Sequence, residues 1–200
     1  MVNSSSPDHA QPAQPLQAIT GFVLAGGQSA RMGQDKAGLP WRGKTLLDHI
    51  VDVVSTACRT VRVVGRSPLC DNHPGSGPLG GIATALAVAT TPRALIIAVD
   101  MPLITPSFIQ WFGARTLAST HPLVACRIGS GYPICLGIDR SLEPDARKRV
   151  EAGILAVREF IDASNPEIVP EEELEDAGFS RTLLLNVNTP ADWEAVTRFS

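Results

Sequence analysis

What most restricts the fold of this chain is an alternation of two textures along it. Short apolar runs bounded by Gly, Pro or Asp alternate with longer stretches whose apolar residues recur at helical spacing. The runs at 21–24, 61–64, 94–99, 123–125, 134–137 and 183–185 read as strands. Several lack the every-second-residue pattern of a strand with one wet face, so they suit a sheet covered on both sides. Helical patterns fall between them at 46–57, 80–89, 106–117, 140–152, 155–163 and 190–198. The last of these opens with Thr189 as N-cap and Pro190 at the first helical position. Repeated strand and helix predict the α/β class, a three-layer, doubly wound, mostly parallel sheet.

A length of 200 residues fits one such domain with a core of its own. Residues 1–17, rich in Ser, Pro, Gln and Ala, bury too little to offset the entropy of ordering and are expected to be a disordered tail. Residues 18–200 then form the single domain. The acidic stretch Glu171, Glu172, Glu173, Glu175 and Asp176 reads as a solvated helix face.

The net charge of −3 and a pI near 5.8 argue against a broad nucleic-acid or anionic-membrane surface, which needs clustered Lys and Arg. Any anion must be gripped locally. The cysteines, Cys58, Cys70, Cys126 and Cys135, include no C-x-x-C pair, and Cys70 with His73 has no second ligand pair to complete a zinc site. Reduced thiols and a cytoplasmic location are expected. No apolar run approaches the ~18 residues a membrane helix needs, and no basic segment followed by an apolar one marks the N-terminus for secretion.

The loop leaving the first run, Leu24-Ala25-Gly26-Gly27-Gln28-Ser29-Ala30-Arg31-Met32-Gly33-Gln34-Asp35-Lys36, is the most informative segment. Ligands of a parallel sheet bind at the carboxyl ends of its strands, and side-chain-free Gly26 and Gly27 allow backbone N–H groups to approach phosphate oxygens. Arg31 adds a planar fork of donors and Lys36 a point charge. The same carboxyl edge receives Asp100, which ends the apolar run 94–99 and precedes Met101-Pro102. A carboxylate there can hold Mg²⁺ against nucleotide phosphates, although an Asp at a strand end is also a common N-cap. Two further segments carry polar candidates. Asp71 precedes Gly75-Ser-Gly-Pro-Leu-Gly-Gly81, by itself a turn and a helix entry, and Asn188 stands in Asn186-Val-Asn188-Thr-Pro190, where its amide oxygen could ligate a cation or the segment could simply cap the last helix.

Gly38-Leu-Pro-Trp-Arg-Gly43-Lys44-Thr45 satisfies the P-loop expression G-x-x-x-x-G-K-T. Its context does not fit: residues 33–36 before it are polar rather than a strand, and Pro40 and Trp41 crowd a loop that works by exposing amides.

The first loop resembles that of the nucleotidyltransferases reading L-A-G-G-x-S-x-R-M-G-x-D-K, in particular the molybdenum cofactor guanylyltransferases. The likeness runs from about residue 20 to 196. It takes in the G-K-x-L-L element at Gly43 to Leu47, the D-x-P at Asp100, the Asp71 and G-P-L-x-G segment, and the closing N-V-N-T-P. The resemblance implies a Rossmann-like nucleotidyltransferase fold. It also implies an enzyme that moves GMP from GTP to the phosphate of molybdopterin, with Mg²⁺ on Asp100. By match, Leu24, Ala25, Gly26 and Gly27 hold base and phosphates, Arg31, Lys36 and Asp100 are catalytic, Asp71 lies against the nucleotide and Asn188 contacts metal or phosphate. GTP and molybdopterin are then the partners, with transient contact to molybdopterin-handling proteins. The motifs alone leave open a cytidylyl- or sugar-phosphate nucleotidylyltransferase, a P-loop kinase or NTPase using Lys44 and Thr45, and a non-catalytic nucleotide-binding module.

Overall fold

The structure is a computed structural model describing residues 16–26 and 35–198. Of the tail expected at residues 1–17, residues 1–15 lie outside the described residues, as do residues 27–34 with Gly27 and Arg31, whereas Leu16 and Gln17 already belong to the first strand, where pairing orders them. In chain order the elements are β1 (Leu16–Leu24), a 3₁₀ turn (Lys36–Gly38), β2 (Pro40–Trp41), β3 (Lys44–Thr45), α1 (Leu46–Ser55), β4 (Cys58–Val64), α2 (Gly77–Ala87), β5 (Arg93–Ala98), α3 (Pro106–Ala118), β6 (Leu123–Cys126) and β7 (Cys135–Asp139). A 3₁₀ turn (Arg140–Leu142) leads into α4 (Glu143–Glu151), α5 (Val157–Ala163), β8 (Glu167–Val169) and α6 (Glu171–Asp176). A last 3₁₀ turn (Arg181–Leu184) precedes α7 (Pro190–Thr197).

Among the described residues one six-stranded sheet has the order β4-β1-β5-β7-β6-β8. Only β7 runs against its neighbours, so the expected mostly parallel sheet is what forms. The apolar runs explain its burial. Ala94, Leu95, Ile96 and Ile97 of β5 are each fully buried, as a strand with helices on both faces requires. On one face Ile19 and Val23 of β1 meet the apolar stripes of α1 and α3, with Leu174 of α6 and Val196 of α7. On the other, Phe22 and Leu24 meet α2, α4 and α5. These are the predicted layers.

Local chemistry sets the helix bounds. Thr45 caps α1 by accepting the Asp48 N–H at 3.1 Å, and Leu46, Ile50, Val53 and Val54 form its buried stripe. The helix expected from residue 80 starts at Gly77, because Pro78 is well placed in a first turn. Thr189 and Asp192 form a reciprocal capping box at the start of α7.

One expectation fails and another holds in part. Residues 183–185, read as a strand, lie largely in the 3₁₀ turn Arg181–Leu184, which Ser180 caps through Thr182 N–H; Leu184 enters the core while Leu185 stays 43% exposed. The edge strand β8 lies instead at Glu167–Val169, a run too short to show periodicity. Its Glu167 pairs with Arg115 of α3 at 2.7 Å. The acidic stretch does form a helix, α6, with Glu172, Glu175 and Asp176 exposed, but Glu173 also pairs with Arg115 and Glu171 accepts the Gly129 N–H at 2.5 Å.

Gly137 of β7 lies under α3, and a Cβ there would stand 2.1 Å from Thr116 Oγ1. Thr116 is fully buried and donates to Phe112 O at 2.8 Å, so it has little room to yield. Gly137→Ala should therefore lower stability by about 1–3 kcal/mol in urea unfolding, the usual cost of overpacking. Adding Thr116→Ala should recover part of the loss; an unchanged midpoint in the single variant would contradict this packing.

Candidate active site

Three parallel strands, β4, β1 and β5, end side by side, and their pairing continues beyond the strands proper. Ala25 N–H donates to Val64 O at 2.9 Å, and Val99 N–H to Leu24 O at 3.0 Å. Ala25-Gly26, Gly65-Arg66 and Val99-Asp100 thus leave the sheet together at its carboxyl edge. The first two turns meet backbone to backbone at their glycines: Gly65 has φ +90°, and a Cβ on it would lie 2.4 Å from Gly26 Cα. Only glycine satisfies both demands. On the other side of Leu24, a Cβ on Gly81 of α2 would meet Leu24 Cδ2 at 3.3 Å, so the helix entry packs closely under the first loop.

Asp100 is reached by two distant segments. Lys36 opens the 3₁₀ turn that Asp35 caps by accepting the Ala37 N–H at 3.2 Å. Its ammonium donates to Asp100 Oδ2 at 3.1 Å and to Asn188 Oδ1 at 2.7 Å. The closing segment is docked by Val187 N–H donating to Asp100 O at 2.8 Å, with the Val187 side chain fully buried. Asn188 takes part in the cap of the last helix and also reaches the site. Its backbone N–H donates to Asp192 Oδ2 at 2.9 Å in the cap of α7, while its side chain faces Lys36. That donor, with Thr189, holds the Asp192 carboxyl below the usual carboxylate range.

Asp100 Oδ1 is buried and has no hydrogen-bond partner, and the same holds for Asn186 Oδ1 two residues before Asn188. A buried acceptor left without a donor costs about 1–3 kcal/mol, so such an atom at a ligand-binding edge suits a cation. Among the described residues no group of three or more His, Cys, Asp or Glu comes together. A hard divalent ion would therefore take Asp100 and draw its other oxygens from phosphates and water, the mode natural to Mg²⁺.

Asp71 lies in the loop after β4, at the same edge. Its Oδ1 accepts the Thr84 hydroxyl of α2 at 2.9 Å and the His73 N–H at 2.9 Å, which fastens the loop to the helix. Among the described residues it makes no hydrogen bond to Lys36, Asp100 or Asn188. Leu24, Ala25 and Gly26 form the turn itself.

The P-loop alternative fails on geometry. Residues 40–45 form a hairpin, β2 with β3, turned by Arg42 and Gly43 at φ +46° and +82°. Lys44 pairs with Asp52 at 2.5 Å, and the Thr45 hydroxyl is spent capping α1. The hairpin is pinned by Trp41, 5.5 Å centroid to centroid from Trp193.

Sequence reading missed Gly65, Arg66 and Asn186. Gly65 left a signal, a glycine directly after a second apolar run, mirroring Gly26, and Asn186 opens the closing N-V-N-T-P segment.

A doubly wound sheet that gathers a Gly-rich turn, a lysine and a carboxylate at the ends of adjacent strands defines a Rossmann-like nucleotidyltransferase. The chain belongs to the MobA-like NTP transferase domain family, whose profile matches residues 21–168. It is 34% identical over 186 residues to the molybdenum cofactor guanylyltransferase of Xanthomonas euvesicatoria, covering 87% of this chain and 92% of that one. Among solved structures, molybdopterin-guanine dinucleotide biosynthesis protein A from Archaeoglobus fulgidus superposes with a TM-score of 0.79 at 20% identity, covering 90% of this chain and 97% of that chain. The 2-C-methyl-D-erythritol 4-phosphate cytidylyltransferase of Thermus thermophilus gives 0.61 at 17% identity, covering 88% and 98%. At such identities the likeness is one of fold.

His49 of α1 braces the loop after Asp100, its Nε2 lying 3.0 Å from Pro102 O. Burial, above all, pushes its imidazole below the ordinary value of about 6.5, against the opposing effect of the Pro102 bond. With the folded value lower than the unfolded one, the unfolded chain binds this proton more readily. The stabilisation is then present above about pH 6.5 and lost as pH falls below it. Between about pH 7.5 and 5.5 the denaturation midpoint should drop more for the native chain than for His49→Gln; parallel profiles would exclude His49 as the source.

Proposed function

We propose that the protein transfers GMP from GTP to the terminal phosphate of molybdenum-molybdopterin, forming molybdopterin guanine dinucleotide and pyrophosphate. The observation that carries this reading is the meeting of Lys36, Asp100 and Asn188 beside the Gly26–Gly65 contact, in a chain 34% identical to a protein named molybdenum cofactor guanylyltransferase.

In this reading Leu24, Ala25, Gly26 and Gly27 hold the base and phosphates of GTP, and Asp71 lies against the nucleotide. Lys36 and Arg31 balance the charge of the triphosphate. Asp100, with its unpartnered Oδ1, is the residue that would hold Mg²⁺, and Asn188 contacts either that ion or a phosphate. When bound, the ion supplies charge neutralisation at the phosphates. The acceptor phosphate attacks the α-phosphorus in line, a new P–O bond forms, and the bond to the bridging oxygen breaks as pyrophosphate leaves. Such chemistry asks for positioning and electrostatic stabilisation rather than a protein nucleophile. A phosphate is already ionised at neutral pH, so no general-base histidine is called for.

Free thiols at all four cysteines support placing the protein in the reducing cytoplasm. Among the described residues no helix is long and apolar enough to cross a membrane. Transient contact with the proteins that carry molybdopterin belongs to the same proposal, and neither nucleic acid nor membrane does.

The test is pyrophosphate release with molybdopterin as acceptor, comparing GTP, CTP, ATP and UTP with and without Mg²⁺. GTP should support turnover, and Mg²⁺ removal should abolish it. Asp100→Ala and Lys36→Ala should each cost roughly 100-fold or more in kcat/KM, while Lys44→Ala should stay within about threefold. Preference for CTP would move the reaction to cytidylyl transfer, and no release with any nucleotide would sink the enzymatic reading.

A further inference from the structure

Arg66 leaves the sheet one residue after Gly65, inside a tight turn closed by Gly65 N–H donating to Leu69 O at 3.0 Å and by a bridge between Arg66 and Leu69. Its guanidinium grips two points of the first loop at once. Nε donates to Ala25 O at 3.2 Å, where the chain leaves β1. Nη2 donates to both carboxylate oxygens of Asp35 at 2.5 Å, where the chain enters the 3₁₀ turn.

We propose that Arg66 is a positioning residue for the nucleotide site, a clamp that holds Ala25 and Asp35 together and so aims Lys36 at Asp100. The inference rests on the nucleotidyl-transfer reading. Three features combine in it. Residues 26–34 begin and end at groups held by one side chain, which removes part of the entropy of bringing the loop ends together. Asp35 also caps the turn in which Lys36 is the first residue, so fixing its carboxylate fixes the origin of the lysine side chain. The Gly26–Gly65 contact brings the two turns close enough for the grip, which ties the requirement for glycine at 65 to the arginine beside it.

The pair is partly open to water, at 36% for the Arg66 side chain and 55% for Asp35, so its weight falls on the local geometry of the site and little on global stability. A clamp that fixes Ala25 and Asp35 in advance lowers the ordering cost of binding beside them. Its loss therefore weakens nucleotide binding more than it slows the chemical step. Arginine is required because its planar fork reaches a carbonyl and a carboxylate together, and a lysine ammonium does not.

The experiment compares Arg66→Ala, Arg66→Lys, Asp35→Asn and the double variant Arg66→Ala/Asp35→Asn in GTP binding by calorimetry with Mg²⁺, in KM and kcat, and in thermal unfolding. Arg66→Ala and Arg66→Lys should both raise Kd and KM for GTP about five- to tenfold, with kcat within about threefold and the melting temperature within a few degrees. Asp35→Asn should cost a similar factor, and the double variant no more than Arg66→Ala, because the two groups act as one unit. Should Arg66→Lys retain native affinity, or the two losses multiply, Arg66 contacts the nucleotide itself and the clamp is overturned. A chain that fails to use GTP at all overturns the proposed function, and the clamp is then judged by hydrogen exchange. The Ala37 amide should exchange roughly tenfold faster in Arg66→Ala, and likewise in Asp35→Asn if the arginine variant does not fold, whereas unchanged exchange rejects the clamp.

Discussion

The pairing of β1 between β4 and β5, carried one residue past each strand, is the constraint on which the site depends. The bonds from Ala25 to Val64 and from Val99 to Leu24 set three chain exits one strand spacing apart, roughly 4.8 Å. Neither the Gly-rich turn nor Asp100 could find the other through its own side chains. Their proximity is fixed by the backbone ladder, and the ladder by burial of β5 and β1 between two helical layers. The apolar character of 94–99 thus has a functional consequence, since a strand that cannot slip in register delivers its terminal carboxylate to one place.

At that place the charges are arranged locally, as a chain of net charge −3 must do to hold a polyanion. Lys36 and Asp100 are each about one-sixth exposed, and together they carry no net charge. Removing two ions from water is costly unless their remaining valences are met. The second acceptor of Lys36, Asn188 Oδ1, meets part of that demand on the lysine, whereas Asp100 Oδ1 is left unmet. What is unmet is one carboxylate oxygen, the kind of ligand a hard cation takes.

The layers of this fold are legible in the sequence because burial on both faces writes itself as continuous apolar runs, and because Thr45, Thr189 and Pro190 punctuate helices by known chemistry. The failures have equally physical causes. Glu167–Val169 is a strand only because Val124, Ala125 and Cys126 of β6 offer it a partner, and three residues carry no period. Leu183 and Leu184 are apolar for packing, not pairing, and the cap at Ser180 opens them into a 3₁₀ segment. Lys36, Asp100 and Asn188 were each visible as candidates, yet their contact was not, since it is created by docking segments 64 and 152 positions apart. Arg66 was invisible for the same reason: its partners lie 41 and 31 positions back, and nothing local distinguishes it from a surface cation.

The P-loop expression at residues 38–45 shows why a spacing of residue types is weaker than the backbone that must display it. A phosphate loop needs successive amides turned to one point at the end of a strand. Here the residues between Gly38 and Thr45 bond to each other as a hairpin, the lysine answers Asp52, and the threonine is consumed by a helix terminus. The first loop differs at its described start: it leaves β1 directly, and glycine meets glycine there at a distance no side chain permits. Shared fold cannot carry the argument to the base, for a cytidylyltransferase superposes on the same sheet. Choice of base must come from groups mounted on the strand exits rather than from the strands that all these folds share.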